Sequence, residues 1–148
     1  MLPRTVHLPT SMARALHAAA IAAAPREFVA LLGGDAGADR LTIDRWHALP
    51  NDAHVDGRFL VPPAAFASAE AATRATGHRW LGFVHSHPRG TAQLSGTDRT
   101  TLWRGCVQLV LGLRPAASDE PVIRAFWLHG DAAESLPLVS DDPTGVLA

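Results

Sequence analysis

Residues 79–98 read RWLGFVHSHPRGTAQLSGTD, and the fold turns on how the two halves of this stretch are joined. The first half, 79–87, is an apolar run stopped by Pro88, which predicts a buried strand. In a strand, residues i and i+2 point to the same face. His85 and His87 therefore project together, with Cα atoms roughly 7 Å apart. Pro88 has no N–H to continue the ladder, so both rings sit near a strand end, where a cleft can open. The second half leads into TDRTTLWRG (97–105), a short helix closed by Gly105, with Asp98 in its first turn.

Outward from this stretch the chain alternates between strand and helix patterns. SMARALHAAAIAAAP (11–25) predicts a helix capped by Thr10 or Ser11 and ended by Pro25. EFVALLGG (27–34) and RLTIDRWHAL (40–49) predict two strands, with a turn from Gly33 to Asp39. Residues 50–63 read as loop and short strand, and 62–77 as a helix with Pro at its start and Gly after its end. CVQLVLGL (106–113) and PVIRAFWLHG (121–130) add strands. The class is α/β: a single domain over 1–136, with a mixed β-sheet flanked by helices. Residues 137–148, rich in Pro and Asp, read as a loosely held tail.

Composition narrows the function. The 148 residues are 47% hydrophobic and 18% charged, which is the profile of a soluble globular domain. Net charge is −1, with no basic stripe, so nucleic acid is not an expected partner. No run approaches the ~18 apolar residues of a membrane span. Arg14 and His17 interrupt the Ala-rich N-terminal segment, which favours a helix over a secretory signal. The single cysteine, Cys106, excludes a disulfide framework and a thiolate zinc site, and the expected compartment is the cytoplasm. Cys106 and the four tryptophans read as core, and His47, His54, His78 and His129 as structural.

His85, His87 and Asp98 together offer two imidazoles and a carboxylate, a set that zinc takes tetrahedrally. Three protein ligands leave the fourth position to water, as in catalytic rather than structural sites. Each piece also has a plain reading: a hydrogen-bonded histidine pair, and Ser95-x-x-Asp98 as a helix capping box, with Thr97 as an alternative cap. The joint pattern is far rarer by chance than its parts.

The pattern resembles the JAMM (MPN+) metalloprotease signature: a Glu upstream, then His-x-His, ten residues (here 88–97) and Asp, the first of the ten being Pro and Ser standing three before the Asp. PREFVALLGG (25–34) is similar to the family's stretch entering its first strand, and LPNDAHVDGRFLVPPAAF (49–66) to its Asn…Arg-Phe…Pro segment. Leu94 departs from the family's usual Pro before the Ser. The resemblance implies a cytidine-deaminase-like three-layer sandwich, a catalytic base at Glu27, and zinc (Zn2+) on His85, His87 and Asp98. It implies hydrolysis of peptide or isopeptide bonds after the C-terminal Gly-Gly of a ubiquitin-like protein. At this length it resembles small stand-alone prokaryotic members, which process ubiquitin-like modifiers or sulfur-carrier proteins. In that scheme Ser95 donates to the developing oxyanion, worth roughly 2.7–4 kcal/mol. The competing expectations are a non-catalytic binding module for ubiquitin-like tails and a structural metal site.

Overall fold

The computed structural model describes residues 2–53, 58–114 and 122–141. Among the described residues, eight strands form one mixed sheet: β1 (Thr5–His7), β2 (Val29–Ala36), β3 (Arg40–Ala48), β4 (Arg79–His87), β5 (Val107–Gly112), β6 (Ile123–His129), β7 (Ala132–Leu136) and β8 (Leu138–Val139). Their spatial order is β7-β6-β5-β4-β2-β3-β1-β8. Three helices among the described residues cover the sheet: α1 (Thr10–Ala23), α2 (Pro63–Ala75) and α3 (Gly96–Thr101).

Alternation along the central strands gives the sheet two apolar faces. Ala30 and Leu32 of β2, Val84 of β4, and Val107, Leu109 and Leu111 of β5 pack with Ala13, Leu16 and Ala20 of α1. Leu16 is fully buried; truncating such a leucine to alanine costs about 2–5 kcal/mol. On the other face, Val29 and Leu31 meet Phe66 and Ala69 of α2. Val110 meets Leu94 and Leu102, which flank α3. Helices on both faces of one sheet make three layers, and the predicted class holds.

The pairing explains where the sequence reading departs. β2 does not stop at the glycines; it runs to Ala36, with its register against β3 shifting between Gly33 and Gly34. A Cβ on Gly34 would lie 1.9 Å from the Thr42 carbonyl oxygen. The glycine is there for that close approach within the ladder, not for a turn. The capping of α1 also differs. Its N-cap is Pro9, without a side-chain cap, and the Thr10 N–H instead donates to Asp141 Oδ1 at 2.8 Å.

The described part of the expected loose tail is bound rather than loose. Leu138 and Val139 pair in parallel with β1, and Leu8 N–H donates to the Val139 carbonyl at 2.9 Å. Backbone pairing holds this segment despite its Pro- and Asp-rich composition; residues 142–148 lie outside the described residues. β1, β7 and β8 carried too short a pattern to be read as strands.

Candidate metal centre

The centre of the sheet brings the motif together. β2 and β4 are antiparallel with Val29 opposite His85, so one more step puts Phe28 opposite Ser86. Two hydrogen bonds make that step: Ser86 N–H to the Phe28 carbonyl at 2.9 Å, and Phe28 N–H to Ser86 Oγ at 2.7 Å. Glu27 thereby arrives beside His87. Its carbonyl is held from the other side by Asn51 Nδ2 at 2.9 Å. Asn51 in turn accepts from the N–H groups of Ala53 and Leu60, and the Arg26 guanidinium donates to the carbonyls of Asn51 and Ala53. Ser86, between the two histidines, is thus a positioning residue for Glu27.

The loop after β4 folds back over the parallel strand β5. Gly90 N–H and Leu113 N–H both donate to the His87 carbonyl, at 3.2 and 3.1 Å. A Cβ on Gly112 would lie 2.4 Å from the Ala92 nitrogen, so only glycine lets the loop lie this close. The loop ends at Ser95, the N-cap of α3. Ser95 Oγ accepts from Asp98 N–H at 3.0 Å, and Asp98 Oδ2 accepts from Ser95 N–H at 2.9 Å. The capping-box reading is correct, and it is also what turns the Asp98 carboxylate back toward the histidines.

Three atoms then converge. His85 Nε2 and His87 Nε2 are 3.1 Å apart, and Asp98 Oδ2 lies 3.2 and 3.0 Å from them. Ligands at zinc–nitrogen and zinc–oxygen distances of about 2.0–2.1 Å stand roughly 3.3 Å apart in a tetrahedron, so this triangle fits one face of such a site. His87 Nδ1 donates to the Thr91 carbonyl at 2.9 Å, which would leave Nε2 as the ligating nitrogen of the neutral ring with a metal bound; without one, Nε2 donates to Asp98. His85 Nδ1 is buried without a partner among the described residues, and Phe59 stacks on its ring with centroids 5.1 Å apart. A Glu27 carboxylate oxygen lies within 4.8 Å of ligand atoms of both histidines, without a hydrogen bond to either.

The electrostatics follow from burial against contact. Burial opposes charge on Asp98, but hydrogen bonds from His85 and His87 outweigh it and hold the carboxyl well below the usual range. Burial lowers His85. It opposes the charge on His87 too, yet the bonds to Asp98 and Thr91, with the nearby carboxylates, raise that imidazole. Glu27, only 4% exposed, is pushed by burial to about 7, in the range suited to a proton shuttle at neutral pH.

The centre opens into a cleft of about 800 Å³ bounded by Glu27, His87, Ser95 and Asp98 at one end. Trp103, expected in the core, is 53% exposed and lines this cleft. Thr91 was not singled out from sequence, because a backbone carbonyl contact leaves no spacing signature; Asn51 and Phe59 belong to the Asn…Arg-Phe…Pro segment, and the structure adds what each one touches. A second histidine–carboxylate group, Asp35, Asp44 and His78, is looser, with exposed carboxylates and a buried His78 Nδ1 lying 3.8 Å from Asp35 and 3.4 Å from Asp44. Among the described residues no helix is long and apolar enough to cross a membrane.

Residues 9–129 match the family of prokaryotic homologs of the JAB domain. No curated protein matches the chain. Among solved structures, a Desulfitobacterium hafniense protein is 25% identical with a TM-score of 0.82, over 93% of this chain and 94% of that one. A Salinibacter ruber protein is 21% identical with a TM-score of 0.66, over 97% and 95%. A JAB1/MPN domain protein from Archaeoglobus fulgidus is 20% identical with a TM-score of 0.53, over 93% and 99%, and so is similar in fold.

Proposed function

Since the chain belongs to the prokaryotic homologs of the JAB domain, we propose that it is a zinc-dependent metallopeptidase of the cytoplasm. It hydrolyses the peptide or isopeptide bond after the C-terminal Gly-Gly of a ubiquitin-like modifier or sulfur-carrier protein. The observation that carries this is the triangle of His85 Nε2, His87 Nε2 and Asp98 Oδ2, with edges of 3.0–3.2 Å, next to a buried carboxylate that is not part of it.

Zinc held by His85, His87 and Asp98 would supply a water acidified toward neutral pH and a Lewis acid for the scissile carbonyl. Glu27 takes the proton of the attacking water and returns it to the leaving amine. Its raised affinity for a proton, from burial, serves the second of these steps as well as the first. Ser95 already accepts from Asp98 N–H, which leaves its own hydroxyl proton free to donate to the developing oxyanion. Glycine on the acyl side suits a site where substrate backbone must come close to the reacting atoms.

Zinc analysis of the purified protein, paired with mass spectrometry of a ubiquitin-like protein extended beyond its Gly-Gly, tests the proposal. The expected result is about one zinc per chain and a single cut after the second glycine, with both zinc and cutting lost in His87→Ala and Asp98→Ala. Binding of the tail without metal or turnover would leave a recognition module. Full zinc in both variants would remove the ligand assignment.

A further inference from the structure

The cleft continues past the histidines to an end that the hydrolytic groups do not use. On the face of β4 that carries His85, the next residue back is Phe83, one two-residue repeat of roughly 7 Å away. Phe83 meets Trp103 edge-on at 5.4 Å and Phe66 at 5.7 Å, and Phe66 meets Trp103 at 5.1 Å. All three rings line the cleft.

Gln108 pairs with Phe83 across the parallel β4–β5 ladder and lines the same cleft, with no solvent exposure. Its amide nitrogen is engaged, donating to the Trp103 carbonyl at 3.3 Å and toward Cys106 Sγ at 3.5 Å. Its Oε1 is buried with no partner among the described residues. A buried amide oxygen without a donor is a standing demand for one. At the rim, Arg58 and Arg89 are exposed, line the cleft, and form no ion pair among the described residues.

We infer that this end of the cleft is a recognition pocket for the residue after the scissile bond, and that it takes an aromatic side chain ending in a neutral hydrogen-bond donor, tyrosine above all. Three converging rings select an aromatic occupant by edge and face contact. The Gln108 Oε1 acceptor selects one that carries a donor. The two guanidiniums at the rim disfavour a lysine ammonium, the other donor on a long stem, and favour an occupant whose chain carries a carboxylate. Only the side of the bond rests on the Gly-Gly proposal: the two glycines bring no side chain, so the side chain nearest the reacting atoms belongs to the leaving amine.

The test uses the zinc-loaded full chain and labelled peptides ending Gly-Gly-X, where X is tyrosine, phenylalanine, alanine or lysine. Tyrosine should exceed alanine in kcat/KM by about 10–100-fold through aromatic burial. It should exceed phenylalanine by about three- to tenfold through the bond to Gln108. Gln108→Leu should bring the tyrosine-to-phenylalanine ratio to near one, which a merely structural role would not do. If that variant does not fold, Trp103→Ala, at an exposed position, should shrink the tyrosine-to-alanine ratio instead. Independently of turnover, tyrosinamide should shift the Gln108 side-chain amide resonances and alaninamide should not. Equal cutting of all four peptides overturns the pocket and leaves the Gly-Gly proposal standing, as does a preference for lysine. No cutting of any peptide, with tyrosinamide still moving the Gln108 resonances, supports the pocket and overturns the Gly-Gly proposal. Resonances unmoved by tyrosinamide overturn the pocket.

Discussion

At the scale of single residues, Glu27 separates ligand from base. Glu27→Gln keeps the shape and removes the proton-accepting charge. Turnover should fall about 10²–10⁴-fold, the usual worth of acid–base catalysis, while zinc content stays at the wild-type level. Loss of zinc in this variant would make Glu27 a ligand and overturn the assigned role. The same residue costs stability in the metal-free protein. Its carboxyl is raised from 4.5 to about 7 in the folded chain, so the folded state holds a proton that the unfolded chain has released. Stability therefore falls as pH rises through that window. With zinc chelated at pH 8, Glu27→Gln should melt higher, by on the order of 2 kcal/mol, about 4–8 °C for a chain of this size. The two measurements read opposite signs from one substitution, a pattern that simple misfolding does not produce.

At the scale of elements, the site depends on how the loop between β4 and α3 is pressed onto β5. Gly112 allows that contact, since a Cβ there would meet Ala92 and Thr91 backbone atoms at 2.4 Å. Gly112→Ala should cost about 1–3 kcal/mol through overpacking and move the Thr91 carbonyl that orients His87. Zinc affinity should then drop more than in a surface glycine variant such as Gly37→Ala; equal affinity in the two would mean the loop is held elsewhere. The strand ending in His-x-His, the cap at Ser95 and the turn placing Asp98 were all legible in the sequence, because each is a local rule with a short spacing. Glu27 was legible only through family resemblance, since its neighbours in space, Ser86 and Asn51, are 59 and 24 positions away in the numbering. The glycines of β2 misled for a related reason. A glycine needed for close approach between strands looks, in one dimension, like a glycine needed for a turn. Gln108 and Trp103 gave no local signal, because one is a polar residue within an apolar strand and the other follows a six-residue helix.

At the scale of the whole molecule, the chain's last described residues close a structure begun at its first. β8 pairs with β1, and two residues later Asp141 caps the N-terminus of α1 by accepting from Thr10 N–H across 131 positions. No local cap does this work, as the Pro9 ring carries no hydrogen-bonding group. A carboxylate at a helix N-terminus also meets the positive end of the helix dipole. The bond to Thr10 lowers the Asp141 carboxyl from its ordinary value. A lowered folded value means that the tie stabilises when the carboxyl is ionised, above the unfolded value near ~4. That contribution is lost as pH falls through and below it. Asp141→Ala should therefore melt lower than wild type by a constant margin between about pH 5 and pH 8. The margin should close toward pH 2–3, where the ordinary exposed carboxylates also protonate but do so alike in both proteins. Melting curves with a chelator present throughout isolate the effect from metal binding. A margin that persists undiminished at low pH would mean that Asp141 acts through chain packing, and no margin at neutral pH would mean that β8 alone holds the two ends of the chain together.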